Sequence, residues 1–432
     1  MDAAVAVTVT KTIPMQPSHQ PVALTERAAI LDILRGIALF GICLANYPIL
    51  SLYIFQGDEV KAAMSTAAVD HWIPWVELSL IDGKFYSLFS LLFGIGFSVI
   101  LLRHRAKGKS GLGYFYRRLI ILAVIGLAHA FLIWNGDILF LYALIGIFLP
   151  LFRNVKDKTL VITWAVLIFS PVLFDLFKGL TDNKYNPANF FLRNAIATGT
   201  KYGITEENFS TWLAVKTTYS DVLKFNHSGF FWRWEGLFNS NRLPKVLGMF
   251  LLGLYTGRKM IYAKLEEHVP LLKKVQKWGF IIGLPSGIGH AYVELHQLPE
   301  GPIGLLHPLF YALNVVPLSL AYTATICLWY LKPGGRKRLS IFAAPGRMAL
   351  TNYILQSCIG ILLFYGIGLG FGARTPLTYV IVIVILVYTF EIIFSHLWLR
   401  YFNYGPIEWI WRQLTYGKRL KLRRERAEIE SI

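Results

Sequence analysis

Hydrophobic residues in this chain fall into long runs that short polar segments separate. Most runs contain the roughly 17–25 residues with which an α-helix crosses a hydrocarbon core about 30 Å thick. The pattern therefore predicts an all-α fold, a polytopic transmembrane bundle of about ten helices. The predicted spans are 28–50, 81–102, 118–136, 138–152, 160–178, 243–261, 277–297, 308–331, 347–371 and 376–402.

A longer polar segment divides the predicted spans into two groups of five. Residues 28–178 are expected to form a first helical bundle, and residues 243–417 a second one. Between them, residues 179–242 are rich in aromatic residues and contain no run able to span, so we expect an extracytoplasmic cap. This cap is either a plain lid or a surface that selects the substrate. Residues 1–27 are expected to be a mobile cytoplasmic tail, and residues 418–432 a basic cytoplasmic tail.

The composition excludes most other classes of protein. Hydrophobic residues make up 55% of the chain and charged residues only 16%, whereas a soluble domain carries about 25% charged residues. The net charge of +18 comes from Lys and Arg that lie mostly on the side of both termini. The positive-inside rule places that side in the cytoplasm. Topology thus explains the charge, and no nucleic-acid partner is expected.

Ionisable side chains within a membrane span cost free energy and are therefore candidates for function. Asp32 and Arg35, at the inner end of the first span, lie three residues apart on one helix face. One interpretation is a structural clasp that fixes the span. The other is that the Arg35 guanidinium binds a phosphate or carboxylate of a ligand from the cytoplasm.

A second candidate group lies at the outer end of the third span. His129 is followed eight residues later by Asp137, in the turn formed by Asn135, Gly136 and Asp137. Imidazole suits proton transfer to or from a hydroxyl near neutral pH, and a carboxylate can fix its tautomer. Eight residues exceed two helical turns, so a direct bond requires the turn to fold Asp137 back toward His129. The alternative is a buried structural histidine.

Further polar residues at membrane depth are weaker candidates. His71, in the outer segment 57–80, is a second candidate for a catalytic imidazole. Lys84 begins the second span and either binds substrate or extends to the interface. Asn352 and Gln356 are four residues apart on the ninth span and either line a polar cavity or link helices. Glu391 in the tenth span is a further substrate-binding candidate.

Three residues at the end of the seventh span suggest a metal site only weakly. They are His290, Glu294 and His296, and they lack the spacing of a CxxC or HExxH motif. No metal is therefore expected from the sequence.

Five motifs, found in the same order, resemble the bacterial YeiB-like family of membrane proteins. The likeness extends from about residue 28 to residue 417. The family is similar to a wider superfamily of membrane acyltransferases, which includes sugar O-acetyltransferases and the lysosomal heparan-glucosamine N-acetyltransferase. The motifs are LDILRGIALFGICLANY at 31–47, GKFYSLFSLLFGIGF at 83–97, GLAHAFLIWNGDILFLYALIGI at 126–147, GRMALTNYILQS at 346–357 and LWLRYFNYGPIEWIWRQLTYG at 397–417.

The resemblance implies an enzyme that moves an acyl group, expected to be acetyl, from cytoplasmic acyl-CoA to an acceptor across the membrane. Asp32 and Arg35 match the family's Leu-Asp-x-x-Arg-Gly motif, and His129 and Asp137 match its His and Gly-Asp positions. His71 is the nearest counterpart of the heparan enzyme's catalytic histidine, which lies in an outer segment. His129 and His71 therefore remain alternatives.

The leading hypothesis is O-acylation of a cell-envelope glycan, sugar or lipid by a multi-pass protein of a bacterial plasma membrane. Acyl-CoA would place its phosphates near Arg35, and His129 or His71 would deprotonate the acceptor or form an acyl-histidine. Asp137 would orient the imidazole, and Asn352 would stabilise the oxyanion. The rivals are a transporter or permease of a small solute, and a structural or sensory protein. Membrane lipids are expected neighbours, and a homo-oligomer is compatible with the sequence.

Overall fold

The computed structural model describes residues 29–106, 108, 110–296 and 304–425, and the fold of these residues is all-α, as predicted. The described residues contain no β-sheet, and a single β-bridge joins Phe402 to Arg423. The predicted tail 1–27 and the end of the basic tail after residue 425 lie outside the described residues.

The helices are numbered in chain order. The longer ones are α1 (Ala29–Leu50), α5 (Lys84–Arg105), α6 (Leu112–Ala128), α7 (Leu139–Gly146), α8 (Asp157–Leu180), α9 (Ala188–Lys201), α11 (Tyr219–Asn239), α12 (Arg242–Arg258), α13 (Val269–Leu295), α14 (Leu306–Leu331), α17 (Ala349–Phe364), α18 (Leu377–Tyr401) and α19 (Pro406–Tyr416). The shorter ones are α2 (Asp58–Ala62), α3 (Ala67–Asp70), α4 (Ile73–Val76), α10 (Phe209–Val215), α15 (Gly335–Leu339) and α16 (Ala343–Arg347). Two π-helical turns cover Glu77–Ile81 and His129–Ile133, and 3₁₀ turns cover Tyr53–Phe55, Leu149–Phe152, Leu265–His268 and Ser340–Phe342.

Within the described residues, six helical segments are long and apolar enough to cross a membrane. The chain is therefore a helical membrane protein. A seventh span results if Gly335–Arg347 and Ala349–Phe364, which meet at a bend of 74°, are one broken span. The six segments are Ala29–Leu50, Ala67–Arg105, Leu112–Ile133, Asp157–Leu180, Leu306–Leu331 and Leu377–Tyr401.

Three predicted spans form helices that are too short or too polar to be counted with these six segments. The segment 138–152 forms only the eight residues of α7 and a 3₁₀ turn that contains Pro150. Helix α12 has 17 residues, and α13 carries three lysines in its first half together with His290 and Glu294 in its second. The count of ten spans therefore stays a prediction.

Glycines allow close packing where the sequence motifs meet in space. A Cβ atom on Gly346 of α16 would collide with the backbone carbonyl of Asp32 in α1, and one on Gly36 would collide with that of Phe342. Gly94 of α5 and Gly253 of α12 face each other in the same way. Small residues let helix backbones approach within a membrane, where dispersion contacts and hydrogen bonds rather than water drive association.

The predicted cap segment 179–242 folds into α9, α10 and α11, and α11 packs on the π-helical turn after α6. The Asn226 side-chain amide donates hydrogen bonds to the carbonyls of Phe131 at 3.3 Å and Ile133 at 3.0 Å. The Tyr219 hydroxyl donates to the carbonyl of Leu132 at 2.6 Å. Carbonyls that a π-turn leaves available are thus bonded by the cap, which fixes the cap over this end of the bundle.

The predicted orientation is testable by cysteine labelling. Ser110 and Thr217 are both exposed, in the connection before α6 and in the cap respectively. In a background with the three native cysteines changed to alanine, we expect Thr217→Cys to react with an impermeant maleimide on intact cells. Ser110→Cys should react only after lysis, because it lies on the predicted cytoplasmic side. The opposite accessibility at both sites would reverse the orientation.

Candidate functional site

His129 occupies the first position of a π-helical turn at the end of α6. The turn closes with a hydrogen bond from the Trp134 amide to the His129 carbonyl at 2.8 Å, five residues apart. A single π-turn inserted in a helix is often found at functional sites. The chain then reverses at Gly136, and the lack of a side chain at Gly126 lets α7 return directly against α6.

This reversal brings Asp137 back onto His129. The Nδ1 atom of His129 lies 3.0 Å from Oδ1 of Asp137. The other carboxylate oxygen of Asp137 accepts a hydrogen bond from the Phe140 amide at 2.7 Å, in the first turn of α7. Because an ionised carboxylate only accepts hydrogen bonds, this geometry favours the His129 tautomer with its proton on Nδ1.

The second ring nitrogen of His129 reaches a residue that the sequence does not point to. Its Nε2 atom lies 3.0 Å from Oγ of Ser357 in α17. In the tautomer favoured by Asp137, Nε2 accepts a proton, as a general base requires. The exposed fractions are only 1% for His129, 2% for Ser357 and 5% for Asp137. Ser357, His129 and Asp137 therefore form a buried hydrogen-bonded triad.

A large cavity of about 370 Å³ lies beside this triad. Its walls are mainly apolar, and Tyr353 and Ile138 line the part nearest the triad. The Tyr353 ring lies 5.1 Å from that of His129, centroid to centroid, and the Tyr353 hydroxyl accepts a hydrogen bond from the Ile138 amide at 3.3 Å. Tyr353 thus stands between the cavity and the imidazole.

The opposite end of the cavity is basic. Its cationic residues come from helix ends on the predicted cytoplasmic side, including the inner end of α1 and the last turn of α5. The basic lining residues are Arg35, Arg103, His104, Arg118, Arg347 and Arg412. The cavity therefore offers positive charge at its mouth and apolar walls within.

The position of Arg35 is compatible with both interpretations of the first motif. Its Nη1 atom donates to Oδ1 of the buried Asp32 at 2.7 Å, while Arg35 itself lines the cavity and its side chain is 26% exposed. The clasp is present, and the guanidinium also faces the space that a ligand would fill.

Helix α19 closes one side of the cavity mouth and is held there by Glu408. This carboxylate accepts hydrogen bonds from the amides of Leu350 at 2.7 Å and Thr351 at 3.0 Å, and from the Thr351 hydroxyl at 2.5 Å. It thereby caps the N-terminus of α17. Burial raises the pKa of Glu408, and these hydrogen bonds lower it in part.

A small pocket lies on the cap side of Asp137. Arg233 of α11 donates from Nε to the Asp137 carbonyl at 3.3 Å and lines this pocket together with Asn135 and Trp234. Burial lowers the pKa of Arg233 to about 10, so it stays protonated at neutral pH. The cap therefore holds a positive charge close to the triad.

The remaining predicted site residues lie elsewhere in the described structure. His71 is exposed at the end of α3, with its ring edge-on to Trp72. Lys84 does not extend to the interface, so that interpretation is wrong: it is fully buried and donates to the carbonyl of Leu78 at 2.7 Å. Burial leaves Lys84 no path to water, and the π-helical turn supplies its acceptor.

The other three predicted site residues, Asn352, Gln356 and Glu391, take part in hydrogen bonds between helices. The Asn352 amide donates to Oγ of Ser395 at 2.8 Å, and the Gln356 amide donates to Oε2 of Glu391 at 2.9 Å. Both bonds join α17 to α18. Among the described residues, none of these side chains is part of the cavity wall, which favours the helix-linking interpretation.

The fold and site together define a class: a helical membrane protein that buries a serine–histidine–aspartate triad next to a basic-mouthed cavity. The chain belongs to the YeiB-like family. It is 34% identical over 412 residues to "Uncharacterized protein YxaH" of Bacillus subtilis (strain 168), covering 92% of this chain and 96% of that protein. It is 30% identical over 405 residues to "Uncharacterized protein YeiB" of Escherichia coli (strain K12), covering 90% and 96%.

A family model described as "Protein of unknown function (DUF418)" matches residues 256–418. This region contains Ser357, Glu408 and α17, but neither His129 nor Asp137. No solved structure matches the chain.

The clasp between Asp32 and Arg35 gives a stability prediction. Asp32→Asn removes a buried charge-assisted hydrogen bond at the contact of α1 with α16, and we expect a loss of about 1–3 kcal/mol. Thermal unfolding of the detergent-solubilised protein measures it. Asp58→Asn, at an exposed position in α2, is the matched control and should leave the unfolding temperature unchanged. An unchanged Asp32→Asn protein would contradict the structural clasp.

Proposed function

We propose that this protein is a membrane acyltransferase of the bacterial plasma membrane. It takes an acyl group, acetyl in the simplest case, from cytoplasmic acyl-CoA and passes it to a hydroxyl of an envelope glycan, sugar or lipid. The observation that carries the proposal is the hydrogen-bonded triad of Ser357, His129 and Asp137, with both distances at 3.0 Å. A serine hydrogen-bonded to a histidine that is in turn hydrogen-bonded to an aspartate carries out acyl transfer on several unrelated folds. Such a triad is identified by its geometry and not by the positions of its residues in the sequence.

The triad supports a two-step reaction. In the first step, Oγ of Ser357 attacks the thioester carbonyl while Nε2 of His129 takes the hydroxyl proton. The carbon–sulfur bond breaks, and the CoA thiolate leaves with the proton that His129 returns. The products are CoA and an ester on Ser357.

In the second step, the acceptor hydroxyl gives its proton to His129 and attacks the ester on Ser357. The ester bond breaks, Oγ of Ser357 regains the proton, and the acylated acceptor departs. Asp137 holds the imidazole in the required tautomer and stabilises the imidazolium formed in each step. This scheme has an acyl-serine intermediate, whereas the sequence left open direct transfer to the acceptor or an acyl-histidine.

The cavity supports the choice of donor. Its basic mouth, which includes Arg35 and Arg118, matches the phosphates of CoA, because guanidinium groups bind phosphate through paired hydrogen bonds. Its apolar walls, among them Phe89 and Leu92, suit the pantetheine arm and the acyl group. The thioester would then reach Tyr353 next to the triad. The acceptor would approach from the cap side, where Arg233 and Asn135 line the small pocket.

The test is transfer from radiolabelled acetyl-CoA to the purified full-length protein. Without an acceptor, we expect acid quenching to trap label on Ser357, located by peptide mass spectrometry. Ser357→Ala should take up no label. His129→Ala should still bind CoA but react about 10²–10⁴ times more slowly, the usual loss on removing a general base. Ser319→Ala is the matched control and should react normally, because it removes a buried hydroxyl of α14 that has no hydrogen-bond partner among the described residues.

Other outcomes separate the alternatives. Label on His129 with Ser357→Ala fully active would replace the serine by the histidine as the acyl carrier. Loss of transfer in His71→Ala but not in His129→Ala would move the catalytic role to the outer segment. Binding of CoA without any transfer, together with solute uptake into proteoliposomes, would favour the transporter.

The donor site gives a second prediction. Arg35→Lys keeps the charge but cannot form the paired hydrogen bonds to a phosphate. We expect CoA to bind about tenfold more weakly, as measured by isothermal titration calorimetry, with little change in unfolding temperature. Arg153→Lys, at an exposed position on the same predicted side, should bind normally. If CoA affinity is unchanged and stability is reduced, Arg35 does not bind the donor, and its role is only to pair with Asp32.

A further inference from the structure

A cluster of metal-binding side chains lies away from the triad, where α13 ends and α14 begins. His290 and Glu294 are one helical turn apart on α13, and His307 lies in the first turn of α14. One ligand atom from each lies within 4.8 Å of the other two. His296, the third candidate that the sequence suggested, is not part of this group, and its ring stacks on that of Tyr292 at 4.3 Å.

One ring nitrogen of the buried histidine in this cluster lacks a hydrogen bond to any described residue. His290 is only 2% exposed, and its Nδ1 atom has no hydrogen-bond partner among the residues that the structure describes. Leaving a buried polar atom unpaired costs roughly 1–3 kcal/mol. The ring is fixed on one side by Tyr311, edge-on at 5.1 Å, and faces the His307 ring at 5.2 Å. His290 is therefore held by ring contacts beside two further ligands, and within the described part of the chain its Nδ1 atom is available to bind an ion.

The other two ligands are able to move. His307 and Glu294 already lie close, with Nε2 and Oε2 2.9 Å apart, and their side chains are 40% and 50% exposed. Ligands of a tetrahedral ion with bonds of about 2.0–2.2 Å lie roughly 3.3 Å apart. Small rotations of these two partly exposed side chains toward the fixed His290 would close the set. Two of the three ligands, Glu294 and His307, are therefore already in contact.

We propose that His290, Glu294 and His307 form a binding site for a divalent transition metal, Zn²⁺. Two imidazoles and one carboxylate form a donor set that zinc takes in proteins, with water in the fourth position. The ion would join α13 to α14 at the predicted extracytoplasmic end of their hairpin. This site revises the expectation that the chain binds no metal, and it does not depend on the proposed acyl transfer.

The test uses the full-length protein in detergent, freed of metal by chelation and then titrated with ZnCl₂ alone. We expect one Zn²⁺ per chain by calorimetry and elemental analysis, together with a rise in unfolding temperature. His307→Ala and Glu294→Gln should each weaken binding by at least about 100-fold, beyond the 10–100-fold that loss of an outer-shell partner costs. Both residues are partly exposed, so these variants should fold even if His290→Ala does not.

His296→Ala and His268→Ala are matched controls, because each removes an imidazole near or on α13 outside the proposed set. Both should bind Zn²⁺ like the unmodified chain. The proposal is overturned if no stoichiometric site is found, or if His296→Ala weakens binding as much as His307→Ala does. Either result would leave Glu294 and His307 as an ordinary ion pair.

Discussion

Polar groups inside a membrane span must find their hydrogen-bond partners within the protein, because the hydrocarbon offers none. This constraint determines which helices meet here. Gln356 and Glu391 join α17 to α18, and the imidazole of His129 joins α6 to α17 through Ser357. The triad arises from the same requirement that holds the bundle together. The triad differs from the other buried hydrogen bonds because the ring of His129 bonds on one side to a carboxylate, which accepts a proton, and on the other to a hydroxyl, which can donate one.

Helix α17 combines several of these tasks on successive turns. Tyr353 forms a wall of the cavity, Ser357 reaches the imidazole, and Asn352 and Gln356 bind α18. The helix starts just after the 74° bend and is capped there by Glu408 from α19. A shift of α19 at the cavity mouth would therefore be transmitted along a rigid helix to the serine. The large cavity and the triad are mechanically connected through this one helix.

Sequence patterns predicted what is local and missed what is long-range. Hydrophobic runs placed α1 and α18 within a residue of their observed bounds, because span length is fixed by the membrane. The contact of Asp137 with His129 was foreseeable, since a turn of known type separates them. Ser357 was not, because it lies 228 residues from His129 and a serine in an apolar helix is ordinary. His307 joined His290 for the same reason, through packing of two helices rather than spacing along one.

Among the described residues, no side chain lines both the large cavity and the small pocket on the cap side. Asp137 lines the small pocket, whereas Ile138 and Tyr353 line the large cavity, so these neighbouring residues separate the two openings. An open channel through the bundle would let protons and other ions leak across the membrane that it spans, and any gradient held there would be lost. In the proposed reaction, the barrier at Tyr353 lets an acyl group pass between the two faces one covalent bond at a time, while the membrane stays electrically insulating.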